Sequence, residues 1–442
     1  MTPGYERPAP PVPEVWPAHL TNGTPTAAAA DIAWPTFFPD TKLQQVIESA
    51  LVNNRDLRLA VLNVEKARAL YGIQRAELMP ALMLAGGGIR RQSSAELTRP
   101  GEPRTTTQYD VDLGIAAWEL DFFGRIRNLK QQALQAYLAT DQARHSAQIA
   151  LIAETARTYF ALAADREGLQ LAQSTLEAQQ VFYEIIRQRY DHAIATEVDL
   201  LRAKTQVDTA EGTLARYRQL VAQSRNALDL LAGGAVPEAL LPDALNGVTP
   251  PGELTAGLPS DVLLRRPDIM AAEHQLQGAY AFIGAARSAF FPRIALTATL
   301  GTASGELSGL FGSGADTWSF VPRLSLPIFD ARTWAAYRVS DAQRQIALAQ
   351  YEKTIQAAFR DVADALAVRT TIDQQREAQQ AVVDSSQNIL NLTRQRYEQG
   401  LEGYLGVLDA QRSLFSAQQG LIALRLADQA SRIRLYAALG GG

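Results

Sequence analysis

RQRYDHAIATEVDLLRAK (187–204) returns as RQRYEQGLEGYLGVLDAQ (394–411), offset by 207 positions from Arg187 to Arg394. The match extends without a gap: Ala210 pairs with Ala417, Leu214 with Leu421, Arg225 with Arg432, and Gly233-Gly234 with Gly440-Gly441. Upstream, NNRDLRLAVLN (53–63) faces RRPDIMAAEHQ (265–275) and ELDFFG (119–124) faces SLPIFD (325–330), the offset drifting by only a few residues. Self-similarity on this scale points to a duplicated architecture. The chain reads as an N-terminal segment (1–40), a first repeat (41–234), a linker (235–259) and a second repeat (260–442).

Each copy reads helix, strand, loop, strand, very long helix, turn, helix. In the first, Thr41 is the expected N-cap of TKLQQVIESALVNN, and a second helix follows Asp56 and runs to Leu78, before Pro80. ALMLAGGGIRRQ (81–92) and TQYDVDLGIAAWELD (107–121) read as strands around a polar loop bearing Pro and Gly. In the second copy, a helix at 268–290 restarts at Pro267, which favours a structural role for Arg265-Arg266 over anion binding. PRIALTATLGT (292–302) alternates apolar Ile294, Leu296, Ala298 and Leu300 with polar neighbours, the period of a two-faced strand. In WSFVPRLSLPIF (318–329), Trp318, Phe320, Leu324, Leu326 and Ile328 share one parity. The matching strand of the first copy has the opposite parity, which predicts a bulge or slip in it. No proline occurs from Phe123 to about Arg189, or from Ala331 to about Gln399. At about 1.5 Å per residue, such a helix is roughly 100 Å long, more than a globular domain holds.

Composition narrows the function. The 442 residues include no cysteine, which excludes disulfides and thiolate metal sites. The net charge of −4, with acids and bases interspersed, gives no basic stripe for nucleic acid. His19, His145, His192 and His274 are scattered, without zinc spacing, and no nucleophilic triad, phosphate loop or dinucleotide fingerprint is visible. The expectation is a non-enzyme with no cofactor. No run approaches the apolar length of a membrane helix, but short alternating strands still permit a β-barrel.

Four strands cannot close a barrel, and an open edge in lipid is not tolerated. Three chains would supply twelve strands, an even number within the bacterial range. Ala133, Ala136, Ala139, Ala143, Ala147, Ala150, Ala153 and Ala156 recur every three or four residues, a ridge suited to close packing of parallel helices. An Ala-rich coiled coil is the plainer alternative for that ridge; the strand pairs argue against it.

GYERP (4–8), WELDFFGRIR (118–127), GLPSDVLLRRPDI (257–269), GAARSAFFPRIALTA (284–298), LPIFD (326–330) and LDAQRSLFSAQQ (408–419) resemble the outer membrane factors of Gram-negative tripartite efflux pumps, the TolC/OprM family, nearest its OprM-like lipoprotein branch. The resemblance implies a mostly α homotrimer: a twelve-stranded outer membrane β-barrel continued by a long periplasmic α-helical barrel, with an equatorial belt made by the N-terminal segment, the linker and the C-terminus. It implies as partners a periplasmic adaptor protein, an inner-membrane RND transporter and outer membrane lipid, with no nucleic acid. It also implies an N-terminal lipid anchor in the native form, whose cysteine is absent from this chain. The hairpin turns near Ala193-Ile194 and Gly400-Leu401 would be the periplasmic tips where the adaptor docks. Leu405 and Asp409, four apart on one helix face, would line the closed aperture. In a trimer they would form a leucine ring that dewets the pore and a carboxylate ring that offers a weak cation site. Gly406 stands where other members carry a second aperture acid, so a two-layer acidic gate is not expected. Asp199 occupies a latch position, with Arg412 as candidate partner. The cargo expected is drugs and other small molecules, conducted passively. A type I protein-secretion duct and a soluble periplasmic coiled-coil scaffold stand as alternatives.

Overall fold

The computed structural model describes residues 2–14, 16–17, 32–254 and 260–441. His19 and positions 255–259 of the expected linker lie outside these. The chain is mostly helical, with one four-stranded antiparallel sheet, and divides into two compact units. One gathers Met1–Ala9, Asn63–Asp141 and Ala271–Tyr351, and the other holds Pro10–Leu62, Gln142–Met270 and Glu352–Gly442.

The sheet belongs to the first unit. Its strands are β1 (Leu82–Gln92), β2 (Thr105–Leu120), β3 (Arg293–Ser304) and β4 (Asp316–Ser325), in the order β1-β2-β3-β4. Two hairpins distant in sequence therefore join where β2 pairs with β3. Cross-strand register places Leu84 opposite Leu113, Leu113 opposite Leu300, and Leu300 opposite Trp318. Because side chains alternate along a strand, one face carries this apolar row and the other carries Asp110, Asp112, Thr299 and Ser319. The expected irregularity in the second strand is a bulge. The β2–β3 register shifts between Ile115 and Trp118, and Ala117 adopts φ 51°. The extra residue changes the parity, so Trp118 and Leu120 follow Ile115 onto the apolar face. β4 ends at Ser325, short of the expected Ile328. Pro327 has no N–H to give a ladder, so Leu326 and Ile328 fall outside the strand.

Carboxylates set the strand-to-helix corners. α4 (Arg125–Asp191) starts where Asp121 accepts hydrogen bonds from the Ile126 and Arg127 N–H groups, at 3.2 and 2.9 Å. Gly124 supplies the left-handed residue of that corner, and Glu119 pairs with Arg125 at 2.7 Å. This is the structural content of WELDFFGRIR. At the second corner, Asp330 accepts from the Arg332 N–H ahead of α7 (Ala331–Glu398).

The remaining helices are α1 (Trp34–Phe37), α2 (Thr41–Asn53), α3 (Arg55–Ala76), α5 (Glu197–Ala232), α6 (Pro267–Ser288) and α8 (Tyr404–Ala438). The N-cap of α2 is Asp40, not Thr41: the Asp40 carboxylate accepts from the Leu43 N–H at 2.9 Å. A short ionised acceptor on extended backbone satisfies that donor one residue earlier. α3 begins behind Asn54, whose side-chain oxygen takes the Leu57 N–H at 2.9 Å, rather than after Asp56. It ends at Ala76 instead of Leu78, because the Leu78 and Met79 N–H groups turn to carbonyls three residues back. Arg266 pairs with Asp268 and donates to the Ala438 carbonyl, which gives it the structural role expected beside Pro267.

The second unit buries an aromatic core. Phe37 stacks on Tyr436 with ring centroids 4.0 Å apart, and the Tyr436 hydroxyl donates to the Ile32 carbonyl at 2.6 Å. Tyr159 is buried and donates to the Leu240 carbonyl at 3.0 Å. Close by in sequence, buried Asp428 pairs with Arg369 and, at 3.3 Å, with Arg432. Of the alanine ridge, Ala139, Ala153 and Ala156 are buried within the chain, whereas Ala136, Ala143 and Ala150 are exposed.

Candidate functional site

The repeated RQRY stretches close two helical hairpins of the second unit. α4 and α7 both end in the same hydrogen-bond pattern. The Ile194 N–H donates to the Arg189 carbonyl at 2.7 Å, and the Ala193 N–H to that of Tyr190 at 2.8 Å. At the other turn, the Leu401 N–H donates to the Arg396 carbonyl at 2.8 Å, and the Gly400 N–H to that of Tyr397 at 3.0 Å. This pairing is a Schellman cap, whose pivot residue must be left-handed. Gly400 meets that at φ 74° without strain; Ala193 meets it at φ 58° against the clash of its Cβ. The residues after the pivots, Ile194 and Leu401, are 74% and 66% exposed.

Below the turns, the hairpins share a core of Phe182, Ile186, Ala203, Tyr404, Val407 and Leu408. The repeated arginines and tyrosines join the two copies. Arg189 of the first stretch donates to the Tyr397 hydroxyl of the second at 2.9 Å and lies over its ring. Arg394 of the second lies 5.3 Å from the ring centroid of Phe182 in the first copy. Buried Tyr404 finds no hydrogen-bond partner for its hydroxyl among the described residues, and burial pushes its phenol well above the ordinary value.

The following helices begin differently. α5 opens with a full capping box: the Asp199 N–H donates to Thr196 Oγ1 at 3.2 Å, and the Thr196 N–H donates to Asp199 Oδ2 at 3.3 Å. α8 opens behind Gly403, which offers no side-chain cap. A glycine start is less stable than a capped one by a few tenths of a kcal/mol.

On α8, Leu405 is 58% exposed and Asp409 and Arg412 are exposed, while Tyr404, Val407 and Leu408 are buried in the hairpin core. Leu405, Asp409 and Arg412 therefore share the face turned away from that core. Glu402, paired with Arg396 at 3.4 Å, lies against the position a Gly406 side chain would take. Asp199 is committed to its cap and lies 4.0 Å from Arg202. Among the described residues no ion pair joins Asp199 to Arg412, so the expected pair is not made within the chain. Sequence reasoning missed the Arg189–Tyr397 contact, although the repeated RQRY was its visible signal. It also missed the Thr196–Asp199 box, legible as T-x-x-D ahead of an apolar run.

Comparison with known proteins places these features in context. A family model described as outer membrane efflux protein matches residues 46–234 and 258–441. The toluene efflux pump outer membrane protein TtgC of Pseudomonas putida is 44% identical over 446 residues, covering 100% of this chain and 92% of that protein. Outer membrane protein OprJ of Pseudomonas aeruginosa is 40% identical over 450 residues, with the same coverage of 100% and 92%. The open-state crystal structure of the Neisseria gonorrhoeae MtrE outer membrane channel superposes with a TM-score of 0.90 at 38% identity, covering 100% of this chain and 98% of that one.

Proposed function

The chain belongs to the outer membrane efflux protein family, and from that membership we propose that it is the outer membrane channel of a tripartite, RND-type efflux pump. It conducts drugs and other small molecules passively from periplasm to exterior and works with a periplasmic adaptor and an inner-membrane transporter. One observation carries the reading: a four-stranded sheet with one apolar face and two outer strands, built into a chain whose other unit is long hairpin helices. A sheet of that kind is stable in lipid only when its edges are closed. Three copies close it as a twelve-stranded barrel, continued in the periplasm by a barrel of the long helices. The repeats at 41–234 and 260–442 supply matching halves of each protomer, and residues 1–40 and 235–259 form the equatorial belt.

The hairpin ends are the periplasmic gate. Leu405 and Asp409 project from α8 on the face that the hairpin core leaves free. Around a threefold axis they form a dewetting ring and a ring of carboxylates that holds a cation weakly. The tips at Ala193, Ile194, Gly400 and Leu401 are the adaptor's docking surface, since solvent-exposed apolar tips are stabilised by a covering partner. Asp199 secures the first hairpin through its cap, and Arg412 serves as the latch toward a neighbouring protomer. The uncapped second hairpin is the part that moves. Replacing Leu405→Ser together with Asp409→Ala should raise single-channel conductance in planar bilayers. Conductance equal to that of the wild type would remove the gate assignment, and absence of any conductance in the wild type and the double variant alike would remove the channel.

A further inference from the structure

On the apolar face of the sheet, only two strand residues carry a charge: Arg90 and Asp316. Arg90 stands near the end of β1 and Asp316 at the start of β4, so both lie at the end of the sheet away from the strand-to-helix corners. Both are exposed, and among the described residues neither side chain makes a hydrogen bond or an ion pair. They sit on the two outer strands, which do not meet within one copy. A charge on a lipid-facing surface is unfavourable without a partner. In a closed barrel β1 of one copy meets β4 of the next, so the next copy can supply that partner.

The register of this meeting follows from barrel geometry. A row of paired residues crosses the sheet as Gly86, Val111, Thr302 and Asp316. Strands about 4.8 Å apart and tilted by about 35–45° displace such a row along the strand it enters next. Over the strand widths of one copy, at a rise of about 3.3 Å per residue, the displacement is about four to six residues. It runs toward Gln92, because a displacement toward Leu82 would leave most of β1 facing no strand of the next copy. It is even, because an odd one would interrupt the apolar face at the seam. The smaller displacement carries the row from Gly86 to Arg90, opposite Asp316; the larger one sets Gln92 there.

Side-chain size agrees with the smaller displacement. It places Gly88 and Gly86 opposite Trp318 and Phe320 of the next copy. Trp318 and Phe320 are exposed in the isolated chain, and the glycines leave room for them. Tyr109 already leans over Gly88 from β2, its ring 3.2 Å from where a Cβ would stand. Aromatic side chains that cover edge glycines are a means of pinning register.

We propose that β1 of each copy pairs with β4 of the next in this register, with Arg90 and Asp316 forming the ion pair that locks the outer end of each seam. The proposal rests on the trimeric barrel reading and adds to it the residues that select the seam's register, and with it the strand tilt. Opposite charges directly across a strand pair favour that pairing over its slipped neighbours.

The test uses the full chain, which has no cysteine of its own. Arg90→Asp should lower the temperature at which the assembly separates in denaturing detergent, and adding Asp316→Arg should restore it to near the wild-type value. Arg91→Asp, on the opposite face of β1, should gain nothing from Asp316→Arg. A swapped double variant no more heat-resistant than Arg90→Asp alone would overturn the ion pair. Register is read by oxidising introduced cysteines in the membrane. Arg90→Cys with Asp316→Cys should give covalent trimers that reductant releases. Covalent trimers from Gln92→Cys with Asp316→Cys in their place, or from neither variant, would overturn the register. Native mass spectrometry of the same samples separates the two claims. Three chains with neither rescue nor cross-link would defeat this inference alone, whereas a single chain would defeat the trimeric reading with it.

Discussion

Ala193 and Gly400 occupy the same pivot in two copies of one turn, yet only one of them is suited to it. A left-handed non-glycine residue is disfavoured by roughly 1–2 kcal/mol. Ala193→Gly should therefore stabilise the first hairpin end by about 1 kcal/mol, and Gly400→Ala should destabilise the second by a similar amount. Amide hydrogen exchange at the two turns reads both changes. The position of the turns, and the discomfort of alanine at the first, are legible in the repeat. The capping of α2 is not, because Asp40 and Thr41 are both good caps and only the backbone angle decides between them. His274 offers a second test at this scale. Burial pushes its imidazole below the ordinary value, outweighing Glu273 beside it, and Nδ1 donates to Gln135 Oε1 at 2.7 Å. A folded value below the unfolded one means the fold favours the neutral ring. That contribution is fully present above the unfolded value of about 6.5 and is lost as pH falls through the folded one. Thermal unfolding of His274→Gln should accordingly show a flatter pH dependence below about pH 6.5 than the wild type.

Among the elements, the helices and strands were readable because their periods persist over many turns. The strand irregularity was readable as well: a parity mismatch between repeats can be resolved only by an added or missing residue, and Ala116-Ala117 of β2 supplies it. The end of β4 was misread because apolar parity continues through Leu326 and Ile328 after Pro327 has broken the ladder. The side-chain partners were least legible, since they join residues far apart in the chain. Asp428 is the clearest case. It is buried with Arg369 and Arg432 against it, and Arg376 lies at 3.9 Å. Asp428→Ala leaves Arg369 without that carboxylate and Arg432 with the exposed Glu253 as its remaining partner, and should destabilise the fold by about 1–3 kcal/mol. Chemical denaturation in detergent, followed by circular dichroism, measures it. The contrast between α5 and α8 also belongs here. A cap installed by Gly403→Ser should stabilise the start of α8 and, on the gate reading, reduce the open probability of the channel.

For the whole molecule, the trimer we propose would cover both the sheet's outer strands β1 and β4 and the exposed alanines Ala136, Ala143 and Ala150 of α4. Long strands with a continuous apolar face are not tolerated as open edges in lipid, and small-residue ridges gain little from packing until another helix meets them. Trp318, 79% exposed in the isolated chain, fits a lipid-facing position and would be anomalous on a surface meant for water. The most direct measurement is the mass of the assembly purified from membranes in detergent, by native mass spectrometry or light scattering. The account predicts three chains, released as monomers only by heating in denaturing detergent. A monodisperse, well-folded monomer that stays in water with no amphiphile present would contradict it.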